Sequence, residues 1–546
     1  MTDPLVHAPS ADAPRAATHR PARPLRTAAL LPIAVALFPI VALQLLTSGC
    51  AGSLERTYTT QPPVPPATAS RGEKNPTMKA HLRDGGVIVF TAWTAADAAR
   101  RISGHGRRYD ASRTRQEDGS FDIPLDSVAL FESNTNVADG ATAAMGIVTA
   151  ASLGLTAYCA ANPKACFGSC PTFYMQDGEE ERLLAEGFSS SVLPSLEATD
   201  VDALPLGKPS SGTIDVVMKN EAFETHAVRS VHLLAVPARA GTRVLQASSG
   251  GFLRVGRIAP PVACMSRQGE VASLIAAMDD REYASPTDSG DLAHPEELLL
   301  TFDARAHGAQ ALVLGTRQSL VTTFLFYHML ALMGTQAGEL LARMERGDHV
   351  MRAQFEAMRT KLGGIVVEAR SANGTWRRVA EIDEHGPLAA DLRAVPLPED
   401  MASPVQVRLR CAQGLWRFNW VALADVVEPC VPVRCEVREV LREGRPDADA
   451  LGALRDSARH LVTGPGDTYV LGYAIPDDEA GYELLLESRG YYLEWMREEW
   501  LKDENHALAA LLFSNPVAAY RMLAPMYKAQ EAGMEDIFWR SRYAHP

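Results

Sequence analysis

Short stretches in which apolar and polar residues alternate recur along most of this chain of 546 residues. In residues 405–410 a valine or leucine alternates with a polar residue, and in residues 416–420 aromatic side chains do the same. A period of two places every apolar side chain on one face of a strand, which is typical of a half-buried antiparallel sheet. The alternation also places Trp416 and Trp420 on one face, so we expect them to share a sandwich core with Trp376.

The strand-like stretches divide the chain into several domains, and its length alone predicts roughly three to five of them. We expect an α+β, multidomain fold that is mainly antiparallel β, with a small β-barrel, a β-sandwich of the jelly-roll kind, helical insertions and a helical C-terminus. The predicted ranges are a small β-barrel at 78–135, a β domain at 164–262, a β-sandwich at 297–428 with a helical insertion at 318–360, and an α+β C-terminal region at 429–546.

Two segments with few or no charged residues are candidates for membrane spans. Residues 319–344 are apolar on nearly every side of a helix and carry Gly334 and Gly338 four apart. Such a helix is either buried in the protein, which we favour, or spans a membrane and dimerises through Gly-x-x-x-Gly. Residues 141–161 carry no charge but are mostly Ala, Gly, Thr and Ser. We therefore expect an Ala/Gly-rich helix at 138–163 that packs on protein, with a second membrane segment as the alternative.

The N-terminus has the pattern of an export signal. Four arginines in the first 26 residues precede an uncharged run at 27–46, which is typical of a secretory signal peptide. Small residues then lead to Cys50, and this resembles the lipobox of bacterial lipoproteins, in which the cysteine is lipidated. We predict a signal peptide at 1–49, a lipid such as palmitate on Cys50 and a Pro-rich tether at 50–77. An uncleaved signal anchor is the alternative.

The middle of the chain carries a compact motif. Cys-Pro-Thr-Phe-Tyr at 170–174 is followed by Asp-Gly at 177–178, Glu-Gly-Phe-Ser at 186–189 and Leu-Glu-Ala-Thr-Asp at 196–200. This pattern resembles a family of uncharacterised bacterial envelope lipoproteins, and the resemblance spans most of the mature chain. It implies a lipid-anchored envelope protein, but it implies no catalytic residues, because none is assigned for the family. Ala51 after the lipidated cysteine favours the outer membrane, facing the periplasm.

The chain has eight cysteines, so an odd number remains if Cys50 is lipidated. Those in clusters are Cys159, Cys166, Cys170, Cys430 and Cys435. They form either disulfides or a set of thiols, and the export signal favours an oxidising compartment. A zinc site would need four nitrogen or sulfur ligands with structural spacing, and the nearest histidines, His226 and His232, lie far along the chain. We therefore predict no metal and no cofactor.

His226 and His232 lie six residues apart on a predicted strand, so alternation places them on the same side. This is the geometry of two metal ligands or of an acid/base couple. Histidines that simply pack or face solvent on a strand are more common, and that alternative stays open.

Several function classes are disfavoured. The sequence contains no Gly-x-Ser-x-Gly, His-Glu-x-x-His, Gly-x-x-x-x-Gly-Lys-Ser/Thr, Gly-x-Gly-x-x-Gly or Cys-x-x-Cys. The common hydrolases, zinc proteases, P-loop NTPases and dinucleotide enzymes carry these motifs. The net charge of −13 also argues against nucleic acid as a partner, because an acidic surface repels phosphate backbones.

Residues 489–500 are the densest aromatic segment. On a helix these side chains form two neighbouring stripes, and both are covered only if two surfaces pack on the helix. One surface is the protein's own core, and the other is either a second part of the domain or a partner. The candidate partner-binding residues are Tyr491, Tyr492, Trp495 and Trp500.

The sequence thus predicts a lipid-anchored protein of the bacterial cell envelope, and we favour a non-enzymatic binding or structural module with an envelope protein or glycan partner. Two alternatives stay open. One is an envelope carbohydrate-active hydrolase that uses carboxylates, which needs no short motif. The other is a membrane-integrated component that inserts through 141–161 and 319–344. A deep pocket lined by acidic residues would favour the hydrolase.

Overall fold

The computed structural model describes residues 54–59, 62, 78–96, 100–110, 116–136, 170–177, 180–204, 209, 212–222, 224–279, 281–303, 308–383, 385–495 and 503–541. Outside these residues lie the predicted signal peptide, Cys50, most of the tether, the predicted helix at 138–163, Cys159, Cys166 and Trp500. The chain divides into two compact units. Residues 1–55 and 136–140 form one, of which only strand ends are described. Residues 56–135 and 141–546 form the other, and all that follows concerns it.

The strands, numbered in chain order, are β1 (Leu54–Thr59), β2 (Met78–Leu82), β3 (Val87–Ala96), β4 (Arg101–Tyr109), β5 (Gln116–Pro124), β6 (Val128–Asn136), β7 (Thr172–Asp177), β8 (Glu180–Glu186), β9 (Ala198–Ala203), β10 (Gly212–Lys219), β11 (Glu224–Pro237), β12 (Thr242–Ala247), β13 (Phe252–Ala259), β14 (Ala263–Ser266), β15 (Gly269–Glu270), β16 (Tyr283–Ala284), β17 (Pro295–Phe302), β18 (Gln310–Gln318), β19 (Ile365–Arg370), β20 (Trp376–Ile382), β21 (Asp391–Pro396), β22 (Val405–Ala412), β23 (Trp416–Cys430), β24 (Val433–Cys435), β25 (Val437–Arg442), β26 (Arg445–Pro446), β27 (Leu461–Thr463), β28 (Thr468–Ile475) and β29 (Tyr482–Glu494). The helices are α1 (Val321–Met333), α2 (Ala337–Glu345), α3 (His349–Leu362), α4 (Ala448–Arg455), α5 (His506–Ser514) and α6 (Pro516–Ser541). The predicted fold class, mainly antiparallel β with helical insertions and a helical C-terminus, is confirmed.

The range predicted as a small barrel, 78–135, forms a sheet with its own core. Its strand order is β1-β6-β2-β3-β4-β5, and β1 lies within the range predicted as a tether. Ile88, Phe90 and Phe131 are buried in this core. In the described residues the two edge strands, β1 and β5, do not pair with each other. Barrel closure occurs instead further along the chain.

A β-sandwich combines two distant parts of the chain. One sheet has the order β26-β25-β28-β10-β7-β8, and the other has the order β24-β11-β29-β9 with β27 on β11. The core between them includes Phe173, Val216, Leu233 and Leu486. The ranges predicted as separate domains, 164–262 and 429–546, therefore share one sandwich, because β10 pairs with β28 and β11 with β29.

A closed five-stranded barrel is inserted between β11 and β24. The order is β13-β12-β21-β18-β23, and β13 pairs back with β23. Leu245, Val313, Trp420 and Ala422 fill its interior. The last sheet, β15-β14-β17-β22-β19-β20, packs on the outside of this barrel and shares its core with the helices.

A β-bulge in β23 separates two tryptophans that the alternation pattern places together. Gly315 pairs with Trp420 but Thr316 pairs with Phe418, so Asn419 is an extra residue in the ladder. One extra residue reverses the alternation of every side chain beyond it. Trp416 therefore lies in the main core and Trp420 in the barrel interior. The prediction of a single tryptophan core is wrong.

The helical insertion follows β18 directly. In place of one helix over 319–344, the chain forms α1, a break at Gly334 with φ 49°, and α2. Most side chains of α1 are buried on all sides, as predicted, because α5 and α6 cover it. The described residues contain no helix that is long and apolar enough to cross a membrane. Asn515 caps the N-terminus of α6, since its side chain accepts from the Ala518 N–H at 3.2 Å.

Candidate functional site

A cavity of about 390 Å³ lies where the sandwich meets the helical insertion. Its walls come from α1, α3, the segment after β8, the segment between β20 and β21, and the end of β29. The apolar wall residues include Leu325, Phe326, Tyr327, Phe355 and Met358. The cavity therefore has an apolar wall and one polar end.

Local sequence signals fix α3 as a wall. Asp348 caps its N-terminus by accepting from the N–H groups of Val350 and Met351 at 3.1 and 3.0 Å. The helix ends at Gly363, whose φ of 73° is readily reached by glycine. Tyr520 on α6 donates to the Met358 carbonyl at 2.7 Å. These contacts hold the apolar side of α3 against the cavity.

Glu186, the last residue of β8, forms the polar end of the cavity. The residue is 3% exposed, and its Oε2 accepts from the Leu388 N–H at 2.8 Å, whereas Oε1 has no hydrogen-bond partner among the described residues. Gly386 permits this approach, because a Cβ there would lie 2.0 Å from Oε2. Burial raises the pKa of Glu186 to about 8, although backbone N–H groups of Leu388 and Ala389 oppose the shift. The carboxyl is thus mainly protonated at neutral pH.

His385 lines the cavity next to Glu186. Its Nδ1 lies 3.3 Å from Oδ2 of the buried Asp391, and its Nε2 is buried without a hydrogen-bond partner among the described residues. Burial lowers the pKa of His385, so the ring is neutral. Since a carboxylate only accepts, we assign the proton to Nδ1, which leaves a lone pair on Nε2. His385 is therefore a hydrogen-bond acceptor at the polar end.

Charged groups behind the polar end are already paired. Arg317 donates to both carboxylate oxygens of Glu282 at 2.8 and 2.6 Å. Arg393 lies against Asp391 and 3.8 Å from Asp200. Burial, followed by the charge of Asp391, raises the pKa of Asp200 to about 6. These guanidinium groups have carboxylate partners of their own, and neither lies within ion-pair distance of Glu186 in the part of the chain that the structure describes.

The mouth of the cavity is acidic. Glu356, Glu381 and Asp383 line it together with a single cation, Arg359, which lies 3.1 Å from Glu356. Glu381 and Asp383 are exposed. With Glu186 protonated, three carboxylates line the cavity. Glu356 pairs with Arg359 and Glu381 pairs with Arg378, so Asp383 leaves the mouth with a net negative charge that favours a cation over an anion.

The cysteines are distributed differently from the sequence clusters. The described cysteines, including Cys170, Cys430 and Cys435, are free thiols. Cys170 is buried and lines the cavity, and burial raises its pKa. Cys430 and Cys435 are not bonded to each other, so a disulfide between this pair is wrong. Cys170 is thus the one described cysteine of the predicted clusters that reaches the cavity.

The aromatic segment is a strand up to Glu494, so the predicted helix over residues 491–494 is wrong. Tyr492 lines the cavity and donates to the Ser189 carbonyl at 3.2 Å. Trp495 donates through Nε1 to Thr225 at 2.9 Å, and the guanidinium of Arg83 lies 4.4 Å from its ring centre. Tyr491 packs edge-on against His460. These three candidate partner-binding residues therefore contact their own chain.

A second β-bulge separates the two histidines of β11. Val228 pairs with Gly490 and Ser230 with Arg489, so Arg229 is the extra residue. His226 lies 2.6 Å from Glu224, both fully buried, whereas His232 contacts Glu436 and Glu487 at 3.2 Å. The two histidines face opposite sides of the sheet, so the interpretation as a shared site is wrong, and the more common alternative of histidines that pack within the protein fits their contacts. In the described residues no cluster of three or more His, Cys, Asp or Glu is suited to hold a metal ion.

Sequence reasoning missed both acceptors of the polar end. Glu186 belongs to the Glu-Gly-Phe-Ser motif, to which the sequence alone assigns no role. Its position as the last residue of a strand, directly before a glycine, was the available signal. His385 carries no comparable signal, because it becomes a cavity residue only through the pairing of β21 with β18.

No protein-family model and no curated protein matches this chain. Two solved structures align with 92% of it, each at 11% sequence identity. One is a structure of the Gt strain of infectious bursal disease virus, with 99% of that chain covered and a TM-score of 0.15. The other is a mutant VP2 protein of infectious bursal disease virus in derived T=1 particles, with 95% covered and a TM-score of 0.12. At these scores the likeness carries no argument about fold or function.

Proposed function

We propose that this protein is a lipid-anchored ligand-binding module of the bacterial cell envelope, and that its cavity binds a small molecule with an apolar body. The observation that carries the proposal is the cavity of about 390 Å³ with an apolar wall and a few polar groups at one end. Small-molecule sites in proteins usually have this form and a volume of about 300 to 1,000 Å³. The ligand enters at the mouth between α3 and the end of β20 and places its polar end at Glu186.

The proposed binding site is a cavity inside the protein, whereas the sequence indicated an aromatic surface. The described aromatic residues that the sequence indicated as partner-binding contact other residues of the same chain. Tyr492 also lines the cavity. An envelope protein or glycan as a further partner stays a prediction. The polar end supplies orientation, because Glu186 and His385 present acceptors at fixed positions.

Filling the cavity should abolish binding. Thr323 on α1 lines the cavity and is half-buried, so Thr323→Phe introduces a ring into the space that the ligand needs. We expect binding of the neutral fluorescent probe N-phenyl-1-naphthylamine to weaken at least about tenfold, or about 1.4 kcal/mol. Ala353→Phe is the matched control, since Ala353 is exposed on α3 and does not line the cavity. Equal probe binding by the two variants would contradict the proposal.

The envelope address rests on the N-terminal sequence. We expect metabolic labelling with an alkyne-tagged palmitate to mark the wild-type chain in a bacterial host and to leave Cys50→Ala unmarked, because Cys50 follows the lipobox-like residues. Cys170→Ala serves as the matched control, since its thiol is buried in the folded body. Labelling that survives in Cys50→Ala would rule out the lipoprotein assignment.

An envelope carbohydrate-active hydrolase is the second candidate. The specific observation that favours it is the protonated, buried Glu186 in a cavity that is also lined by Glu381 and Asp383. A carboxylic acid with a raised pKa is the usual general acid of glycosidases, and a second carboxylate completes the pair. The walls of Leu, Phe and Met side chains fit an apolar ligand better than a sugar, so we place binding first. Release of reducing sugar from a glycan would reverse this order.

A further inference from the structure

We infer that the ligand of this cavity is an amphipathic amine, bound as its ammonium ion against Glu186. The inference rests on the proposed binding function and names the class of ligand. It follows from the polar end of the cavity, where Glu186 accepts hydrogen bonds as a carboxylate does but lacks a cation beside it among the described residues.

The Glu186 carboxyl accepts hydrogen bonds as a carboxylate does, yet it has no counter-ion among the residues that the structure describes. Backbone N–H groups of Leu388 and Ala389 both donate to it, and this arrangement stabilises a carboxylate. Arg317 is the nearest cation with an influence on this carboxyl, and its guanidinium is forked onto Glu282. Asp200 and Cys170 also face this region, and neither can supply a positive charge. A buried carboxylate without a cation is costly, so the free protein keeps it protonated.

Both unsatisfied atoms at the polar end are acceptors. Oε1 of Glu186 and Nε2 of His385 are buried without partners in the described part of the chain. Nε2 carries a lone pair because Nδ1 lies against Asp391. An ammonium group has three donors and one positive charge, so it satisfies both atoms and restores the ion pair. A carboxylate ligand would bring a second negative charge, and an alcohol has only one donor.

The rest of the cavity fits the same class. At the mouth, Glu356 and Glu381 pair with Arg359 and Arg378, whereas Asp383 has no ion-pair partner among the described residues and therefore favours a cation over an anion. The rings of Phe326, Tyr327 and Phe355 and the side chain of Met358 line the space beyond, where an alkyl or aryl body packs. The amine head thus lies at the deep end and the apolar body along α1 and α3.

The test compares decyl ligands that differ only in their head group. Decylammonium, decanol, decanoate and uncharged N-decylacetamide compete with N-phenyl-1-naphthylamine for the full-length chain at pH 7. We expect decylammonium to displace the probe at a concentration at least about tenfold lower than decanol or N-decylacetamide, with decanoate weakest. Decyltrimethylammonium should fall below decylammonium, because it carries the charge without an N–H donor.

Glu186→Gln tests the assigned residue. The amide keeps an oxygen for the Leu388 N–H but cannot ionise, so the preference for decylammonium over decanol should fall to about one. Glu439→Gln removes the same charge at an exposed position outside the cavity and should keep the preference.

The binding function and the assignment of an amine ligand are contradicted by different results. Probe binding without any preference for decylammonium in the wild-type chain would overturn the amine assignment and leave the binding function standing. No binding of the probe or of any decyl ligand would overturn the binding function itself. A preference for decylammonium that Glu186→Gln retains would place the ammonium at the acidic mouth and would also overturn the assignment to Glu186. If Glu186→Gln fails to fold, the wild-type ranking of the five ligands decides.

Discussion

Trp416→Ala should lower the free energy of unfolding by about 3 to 5 kcal/mol, the usual cost of removing a large buried aromatic side chain. Trp416 is 1% exposed and lies in the main core, where its ring packs edge-on against His385 with ring centres 5.4 Å apart. Alanine would leave the space of the indole ring empty, so the cost of a cavity adds to the lost burial. Thermal and urea unfolding of the purified chain measure the effect.

Trp376→Ala is the matched control for this experiment. Trp376 is half-buried, and its ring lies 4.7 Å from the guanidinium carbon of Arg408 on the neighbouring strand. We expect a loss of about 1 kcal/mol or less, because an exposed cation–π pair contributes only about 0.5 to 1 kcal/mol. Equal destabilisation by the two substitutions would contradict the structure, in which Trp416 is buried in the main core and Trp376 is only half-buried on the outer sheet.

Glu186→Gln should make the chain more stable than wild type at high pH, with a difference that grows between about pH 4.5 and pH 8. The pKa of Glu186 is about 8 in the folded protein and its ordinary value is 4.5. In that window the folded state binds more protons than the unfolded state, so wild-type stability falls as pH rises. At about 1.36 kcal/mol for each pKa unit, the full difference is about 4 to 5 kcal/mol above pH 8.

The measurement is the midpoint of urea unfolding for both proteins from pH 4.5 to pH 9. Glutamine does not titrate, so subtracting the two curves removes the contributions of other groups, including Asp200, whose raised pKa acts in the same direction. Glu439→Gln, at an exposed site, should give a curve parallel to wild type. Parallel curves for Glu186→Gln as well would show that Glu186 is not the buried acid described.

The sequence predicts the fold class correctly. It predicts less well which side of a sheet an individual side chain faces. Alternation correctly indicates antiparallel strands, because half-burial imposes a period of two. It fails for Trp416 and Trp420, and again for His226 and His232, for the same reason in each case. One bulge residue lies between the members of each pair and reverses the facing. A bulge leaves no clear signal when the extra residue is an ordinary Asn or Arg.

The error at residues 491–494 has a different cause. Helical spacing and strand pairing both accommodate Tyr491 and Tyr492, and local sequence does not decide between them. The decision comes from β11, which pairs with β29 over nearly its whole length. Pairing between segments about 250 residues apart cannot be predicted from residues that are neighbours in the sequence. The candidate site suffers most from this limit, because Glu186 and His385 are 199 positions apart and meet only in the folded chain.

The insertion of the barrel between β11 and β24 has a consequence for the order of synthesis. Leu233 pairs with Leu486, so the first half of the sandwich leaves the ribosome long before its partner strands exist. The barrel contains all of its own strands by Cys430 and is able to close first. β24, which follows the barrel, pairs with β11, which precedes it, and this brings the two connections to the sandwich together. A prefolded insert of this kind shortens the effective loop between β11 and β29 and lowers the entropy cost of joining them.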